Sequence, residues 1–126
     1  MSPVAVVAAI LAALLHVYIF ALESLWFERP EVWRRFRVAS QSDAGVVRSF
    51  AFNQGFYNLF LAIGIAIGLA LVAVGEVVAG RAIVAFACAS MVGAGVVLAA
   101  HDRVMIRAAA IQVTPGLVAV IAIALL

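Results

Sequence analysis

Apolar residues form four long stretches along this chain, separated by shorter polar intervals. The stretches cover residues 3–27, 50–74, 78–100 and 104–126, and the longest polar interval is 28–49. An α-helix needs about 20 apolar residues to cross a hydrocarbon core about 30 Å thick, and each stretch satisfies this length. The runs are continuous rather than alternating, which favours helices over strands. The pattern therefore predicts an all-α, polytopic membrane protein, a single four-transmembrane-helix bundle over residues 1–126.

The composition supports this class. Hydrophobic residues make up 68% of the chain, charged residues make up 11%, and the mean hydropathy is +1.26. Soluble domains carry about 25% charged residues, so too few polar side chains exist here to cover a water-facing surface. The single cysteine, Cys88, lies in an apolar run and excludes a disulfide scaffold.

The arginines are distributed unevenly between the predicted loops. All eight basic residues are Arg. Only Arg81 lies near the loop between the second and third predicted helices. The positive-inside rule then places the loops at 28–49 and 101–103 in the cytoplasm, with an N-out/C-out topology. We expect a multi-pass protein of the inner (plasma) membrane. There is no basic tail or face, so nucleic acid is not an expected partner.

Two local features are expected near the polar interval at 28–49. Pro30 is suited to open a short amphipathic helix over 31–38, lying at the membrane interface. Ser42 or Asp43 is expected to cap the second transmembrane helix.

Small residues on the second helix, Gly64 and Gly68, form a GxxxG pattern. This pattern favours close packing within the bundle, with a homodimer interface as the alternative.

Polar residues of three predicted helices fall at similar depths on the cytoplasmic side. His16 and Glu23 are seven positions apart, so they share a helix face and lie about 10 Å apart along its axis. The second and fourth helices enter from the same side and carry amide side chains close to their starts. Because polar groups in hydrocarbon are costly, this coincidence predicts a polar pocket. The candidate catalytic residues are His16 and Glu23, and the candidate substrate-binding residues are Tyr18, Trp26, Asn53, Gln54, Tyr57, Asn58 and Gln112.

Each of these residues also has a structural interpretation. The amides are equally consistent with interhelical hydrogen bonds, each worth about 1 kcal/mol. Glu23 is consistent with a solvated position at the interface, and His16 with a neutral imidazole that has a satisfied partner. No HxxxH, HExxH or cysteine cluster is present, so no metal site and no cofactor are predicted.

The same residues resemble a known family. The run Leu15–Glu23, the run Asn53–Gly64, Cys88 followed by Gly93, and Gln112 followed by Pro115 are similar to the small bacterial membrane proteins of domain-of-unknown-function family 1304. The chain departs from that pattern at three positions: Ser24 replaces a common Met, Arg37 replaces Gly after Phe36, and Val113 replaces Gly. The resemblance implies a four-helix membrane protein and no established reaction.

Three classes of function remain open. The first is an intramembrane acid–base enzyme of isomerase, cyclase or epoxide-opening type, acting on a lipophilic, isoprenoid- or sterol-like substrate. In it, Glu23 and His16 exchange protons with the substrate while aromatic walls stabilise a cation. The second is a small proton-coupled transporter that uses Glu23. The third is a non-catalytic binding or assembly subunit. The expected partners are the lipid bilayer and a lipophilic small molecule.

Overall fold

Helices account for 86% of the chain, and no strand is present. The computed structural model describes all residues from Met1 to Leu126. The long helices are α1 (Pro3–Phe20, continued by a π-helical segment Ala21–Leu25), α3 (Gln41–Ala73), α4 (Val77–His101) and α5 (Ile106–Leu125). A short helix, α2 (Pro30–Trp33), follows the π-helical segment, and a single 3₁₀ turn (Arg103–Met105) precedes α5. Four helical spans are long and apolar enough to cross a membrane, as the hydropathy pattern predicts.

The chain forms two compact units. One contains residues 1–15 and 61–126, and the other contains residues 16–60. In the first unit, small and aliphatic side chains make the core, with Ile65, Val84 and Met91 as its largest fully buried apolar members. Gly68 of α3 approaches the backbone of Gly80 on α4 so closely that a Cβ at either position would collide with the other helix. The GxxxG pattern therefore packs within the bundle at Gly68, whereas Gly64 is loosely packed.

The helix α3 begins at Gln41, nine residues before the predicted start of the apolar stretch at Phe50. Its 33 residues would extend about 50 Å at 1.5 Å per residue, well beyond the hydrocarbon thickness. The expected cap at Ser42 or Asp43 is wrong, because the hydroxyl of Ser40 accepts from the backbone N–H of Asp43 at 3.1 Å. Hydropathy marks where the chain enters lipid, but the helix itself starts where a side chain first satisfies its free N–H groups.

The unit formed by residues 16–60 has its own apolar core. Val32 and Trp33 of α2 are buried there together with Leu22, Phe27 and Ala44. The indole N–H of Trp33 donates to the side chain of Gln41 at 2.9 Å, which ties α2 to the start of α3. The segment expected to lie on the membrane surface as an amphipathic helix therefore turns its apolar side chains into protein.

The turn after α2 has a left-handed residue at its end. Arg37 has φ +61°, its N–H bonds the carbonyl of Arg34, and the N–H of Val38 bonds the carbonyl of Trp33 at 3.2 Å. This is the Schellman arrangement, in which glycine is the usual left-handed residue because a side chain there is strained. Arg37 therefore occupies a position at which glycine would be less strained.

Candidate functional site

The candidate site is built around a π-helical segment at the end of α1. Within Ala21–Leu25 the backbone bonds are wider than in an α-helix, as in the bond from the N–H of Trp26 to the carbonyl of Ala21 at 2.9 Å. Such segments are rare and occur frequently at functional sites. Glu23 lies in the middle of this one. No feature of the sequence indicated the π turn, because it depends on a change in hydrogen-bond register that residue types do not encode.

Two polar side chains of the whole chain are buried, and both were predicted from sequence as the catalytic pair. His16 is 0% exposed and Glu23 is 8% exposed. The burial of both agrees with their shared helix face. The structure does not place them at the same cavity, however, because Glu23 lines the cavity described below and His16 is absent from its wall.

The carboxylate of Glu23 is held from α3. The side-chain amide of Asn58 donates to Oε1 of Glu23 at 3.0 Å and also approaches the backbone carbonyl of Gln54 at 3.2 Å. The second carboxylate oxygen, Oε2, makes no hydrogen bond within the chain. One oxygen is therefore fixed by protein and the other is available to a bound molecule.

A close backbone approach makes this contact feasible. A Cβ placed on Gly55 would collide with the hydroxyl of Ser24 and lie 3.1 Å from the Cβ of Glu23. The Ser24 hydroxyl donates to the carbonyl of Phe52 at 2.7 Å. Neither Ser24 nor Gly55 was among the predicted site residues. The Asn-Gln-Gly run in the motif was the available signal, since a glycine inside a helix often marks a close backbone approach.

A cavity of about 510 Å³ lies beside Glu23. Its polar wall is formed by Glu23, Asn53, Gln54 and Tyr57, three of them from the same stretch of α3. The remaining wall is apolar and comes from the turn regions and the first half of α3: Phe27, Phe36, Val38, Val47, Phe50 and Ala51. The four polar lining residues are all among the predicted site residues, whereas none of the six apolar lining residues was predicted.

Four of the predicted binding residues, Tyr18, Trp26, Asn58 and Gln112, do not line this cavity. The hydroxyl of Tyr18 accepts a hydrogen bond from the guanidinium of Arg35 at 3.0 Å. The guanidinium of Arg29 lies over the ring of Trp26, 5.2 Å from its centroid. Gln112 is half-buried on α5, in the unit formed by residues 1–15 and 61–126. Asn58 contributes through its hydrogen bond to Glu23 rather than through the wall.

No group of three or more His, Cys, Asp or Glu side chains is placed to hold a metal ion. The arrangement offers instead one buried carboxylate, an amide that orients it, and an apolar cavity with two further amides and a phenol. Such a site is suited to proton exchange with a mostly apolar molecule.

The comparisons with known proteins identify the family and leave the reaction open. Residues 10–124 match the model of the family described as "Protein of unknown function (DUF1304)". The chain therefore belongs to this family of uncharacterised proteins. Its structure contains four helical spans that are long and apolar enough to cross a membrane. No curated protein and no solved structure matches the chain significantly.

Proposed function

We propose that this protein is an integral membrane enzyme of acid–base type, which rearranges a lipophilic, isoprenoid- or sterol-like molecule in the cavity beside Glu23. The observation that carries the proposal is the position of Glu23, buried at 8% exposure yet lining a largely apolar cavity of about 510 Å³. Small-molecule sites commonly have volumes of about 300–1,000 Å³. A structural carboxylate would have no need of a cavity at its side.

A single carboxyl group is sufficient for a redox-neutral isomerisation. The Glu23 carboxyl donates its proton to one carbon of a substrate alkene, and the resulting carboxylate removes a proton from a neighbouring carbon of the cation. The double bond has moved and the carboxyl is regenerated, so no co-reactant is required. The amide of Asn58 holds Oε1, which keeps the carboxyl group oriented while Oε2 gives and takes the proton. Aromatic faces of Phe27 and Phe36 in the wall would attract the cationic intermediate.

The shape of the wall supports a substrate with one polar end. Asn53, Gln54 and Tyr57 offer two amides and a hydroxyl on one side, whereas the other lining side chains are apolar. A molecule with a hydroxyl or carbonyl at one end and a hydrocarbon body satisfies both sides. His16 and Gln112 have no part in this step, and their predicted roles in catalysis and substrate binding remain predictions.

The membrane topology is part of the same proposal. Seven of the eight arginines lie in residues 29–48 and 103–107, which are in or next to the two predicted cytoplasmic loops. This bias supports an N-out/C-out orientation in the inner membrane, with the cavity in the cytoplasmic half. Labelling of single cysteines introduced at Ser40 and at Gly75 in a Cys88→Ala background tests it. Labelling of the Gly75 position, and not of Ser40, by an impermeant reagent on intact cells is expected, and the opposite pattern would reverse the topology.

Exchange with heavy water tests the chemistry without knowledge of the substrate. The purified protein is incubated in D₂O buffer with a lipid extract from the membranes in which it was expressed, and lipids are examined by mass spectrometry. We expect one lipid class to acquire carbon-bound deuterium with the wild-type protein and not with Glu23→Gln. The matched control is Glu31→Gln, since Glu31 is exposed and lies outside the cavity.

Two outcomes would reject the enzyme. One is the absence of Glu23-dependent labelling while a lipid is still retained by the folded wild-type protein, which points to a binding subunit. The other is proton-driven movement of an unaltered lipophilic molecule in proteoliposomes that is lost in Glu23→Gln, which points to the transporter.

A further inference from the structure

Three arginines of the segment 29–35 are held by aromatic side chains rather than by carboxylates. The guanidinium of Arg29 lies 5.2 Å from the ring centroid of Trp26, and that of Arg34 lies 5.2 Å from the ring centroid of Trp33. Arg35 donates to the hydroxyl of Tyr18 at 3.0 Å. An aromatic ring or a phenol orients a guanidinium without neutralising it, so these arginines keep their charge for another partner.

The Arg35 contact fixes the depth of one of these charges. Tyr18 lies within the apolar span Pro3–Leu25, seven residues before its end, or about 10 Å along the helix axis. Arg35 comes from the polar segment that follows α2, yet its guanidinium reaches back to the Tyr18 hydroxyl. Both side chains are exposed on the protein surface. In a bilayer this pair would lie below the headgroups, inside the edge of the hydrocarbon, where an exposed cation is costly unless an anion meets it.

We propose that Arg35 and Tyr18 form a binding site for the phosphate of an anionic phospholipid, with Arg29 and Arg34 adding charge around it. A guanidinium has five N–H donors in a planar fork that matches a phosphate, and the guanidinium of Arg35 makes one hydrogen bond within the chain, to Tyr18. A lipid phosphate drawn toward this edge would meet the remaining donors, and the acyl chains would lie along the exposed apolar surface of α1.

The two tryptophans of the chain, Trp26 and Trp33, provide the readout, because each lies beneath one of these arginines. The protein is placed in phosphatidylcholine nanodiscs that contain increasing fractions of brominated phosphatidylglycerol. Tryptophan quenching is then compared with that by brominated phosphatidylcholine. We expect half-maximal quenching at a lower fraction of the brominated phosphatidylglycerol, which reports a preference for the anionic headgroup.

The variants locate the site. Arg35→Gln should lower the preference for phosphatidylglycerol about tenfold, the scale of a lost charge-assisted contact. Tyr18→Phe keeps the charge and releases its orientation, and should lower the preference about threefold. Arg107→Gln is the matched control: it removes an exposed arginine with no partner in the chain, and should leave the preference unchanged.

Three results would overturn this proposal. The first is that folded Arg35→Gln keeps the wild-type preference for phosphatidylglycerol. The second is that Arg107→Gln loses this preference as strongly as Arg35→Gln does, which would show a general attraction to charge. The third is release of the brominated phosphatidylglycerol by inorganic phosphate, which would show that the site takes a free anion. If Arg35→Gln does not fold, Tyr18→Phe decides: an unchanged preference in that variant rejects the site.

Discussion

The contact between Gly55 and Ser24 is where the geometry of the site is most sensitive to a single methyl group. A Cβ at Gly55 would collide with the Ser24 hydroxyl and lie 3.0 Å from the Ser24 Cβ. The third atom close to this added Cβ is the Cβ of Glu23, at 3.1 Å. Because two of these three neighbours are Cβ atoms, they move only with their backbones. Gly55→Ala should therefore push α3 away from the π-helical segment.

The expected cost follows from three terms. Overpacking of a tight contact costs about 1–3 kcal/mol. The hydrogen bond from Ser24 to the carbonyl of Phe52 contributes about 1 kcal/mol and would be strained or lost. Alanine is better than glycine inside a helix by about 1 kcal/mol, which acts in the opposite direction. The net expectation is a decrease of about 2 kcal/mol in the free energy of unfolding of Gly55→Ala.

Reversible unfolding in mixed micelles measures this difference, with helicity followed by circular dichroism. Gly45→Ala is the matched control on the same helix, since a Cβ there meets nothing within 4 Å. The control should be as stable as the wild type, or more stable by up to about 1 kcal/mol. The double variant Ser24→Gly/Gly55→Ala removes the colliding side chain and should recover part of the loss. If Gly55→Ala is as stable as Gly45→Ala, the close approach is wrong, and with it the account of how α3 reaches Glu23.

Two further changes test the contacts on either side of this approach. Asn58→Ala removes the amide that donates to Glu23 and should cost about 1 kcal/mol, in the range found for polar contacts inside membranes. A double-mutant cycle with Glu23→Ala, which removes the accepting oxygen, should give a coupling energy of similar size, whereas additive effects would show that the two side chains do not interact. Ser40→Ala removes the N-cap of α3 and should cost about 1 kcal/mol in the same unfolding assay. Ser42→Ala, one residue into the helix, should change stability little, and equal losses from the two serines would contradict the observed helix start.

Much of this arrangement follows from the order of residues along the chain. Hydropathy alone locates the four long helices, because lipid requires continuous apolar runs whatever the neighbours are. Counting residues from the polar ends also places Glu23, Asn53 and Gln54 at a common depth, and these side chains share the wall of one cavity. Depth is predictable because each residue of a helix advances the chain by a fixed rise.

The direction in which side chains point around a helix, and the path of the chain after α1, were not predictable in the same way. Tyr18 was expected at the pocket from its depth, but its hydroxyl meets Arg35 instead. Spacing in sequence does not say how the segment after α1 folds back, because that path depends on where Val32 and Trp33 find an apolar core. The π turn changes the direction of side chains at the end of α1, and it cannot be inferred from residue types.

Two side-chain hydrogen bonds join the end of α1 to α3, and they place different demands on the residues that make them. The hydroxyl of Ser24 occupies the narrow space over Gly55 and bonds the α3 backbone. A methionine side chain is too large for that space, so Ser24→Met would lose this contact. The hydrogen bond to Phe52 therefore requires a small hydroxyl residue at position 24. The bond from Asn58 to Glu23 requires only an amide and a carboxylate. The two hydrogen bonds are therefore separate contacts between the end of α1 and α3: the Asn58 bond orients the carboxylate, and the Ser24 bond holds the two backbones together.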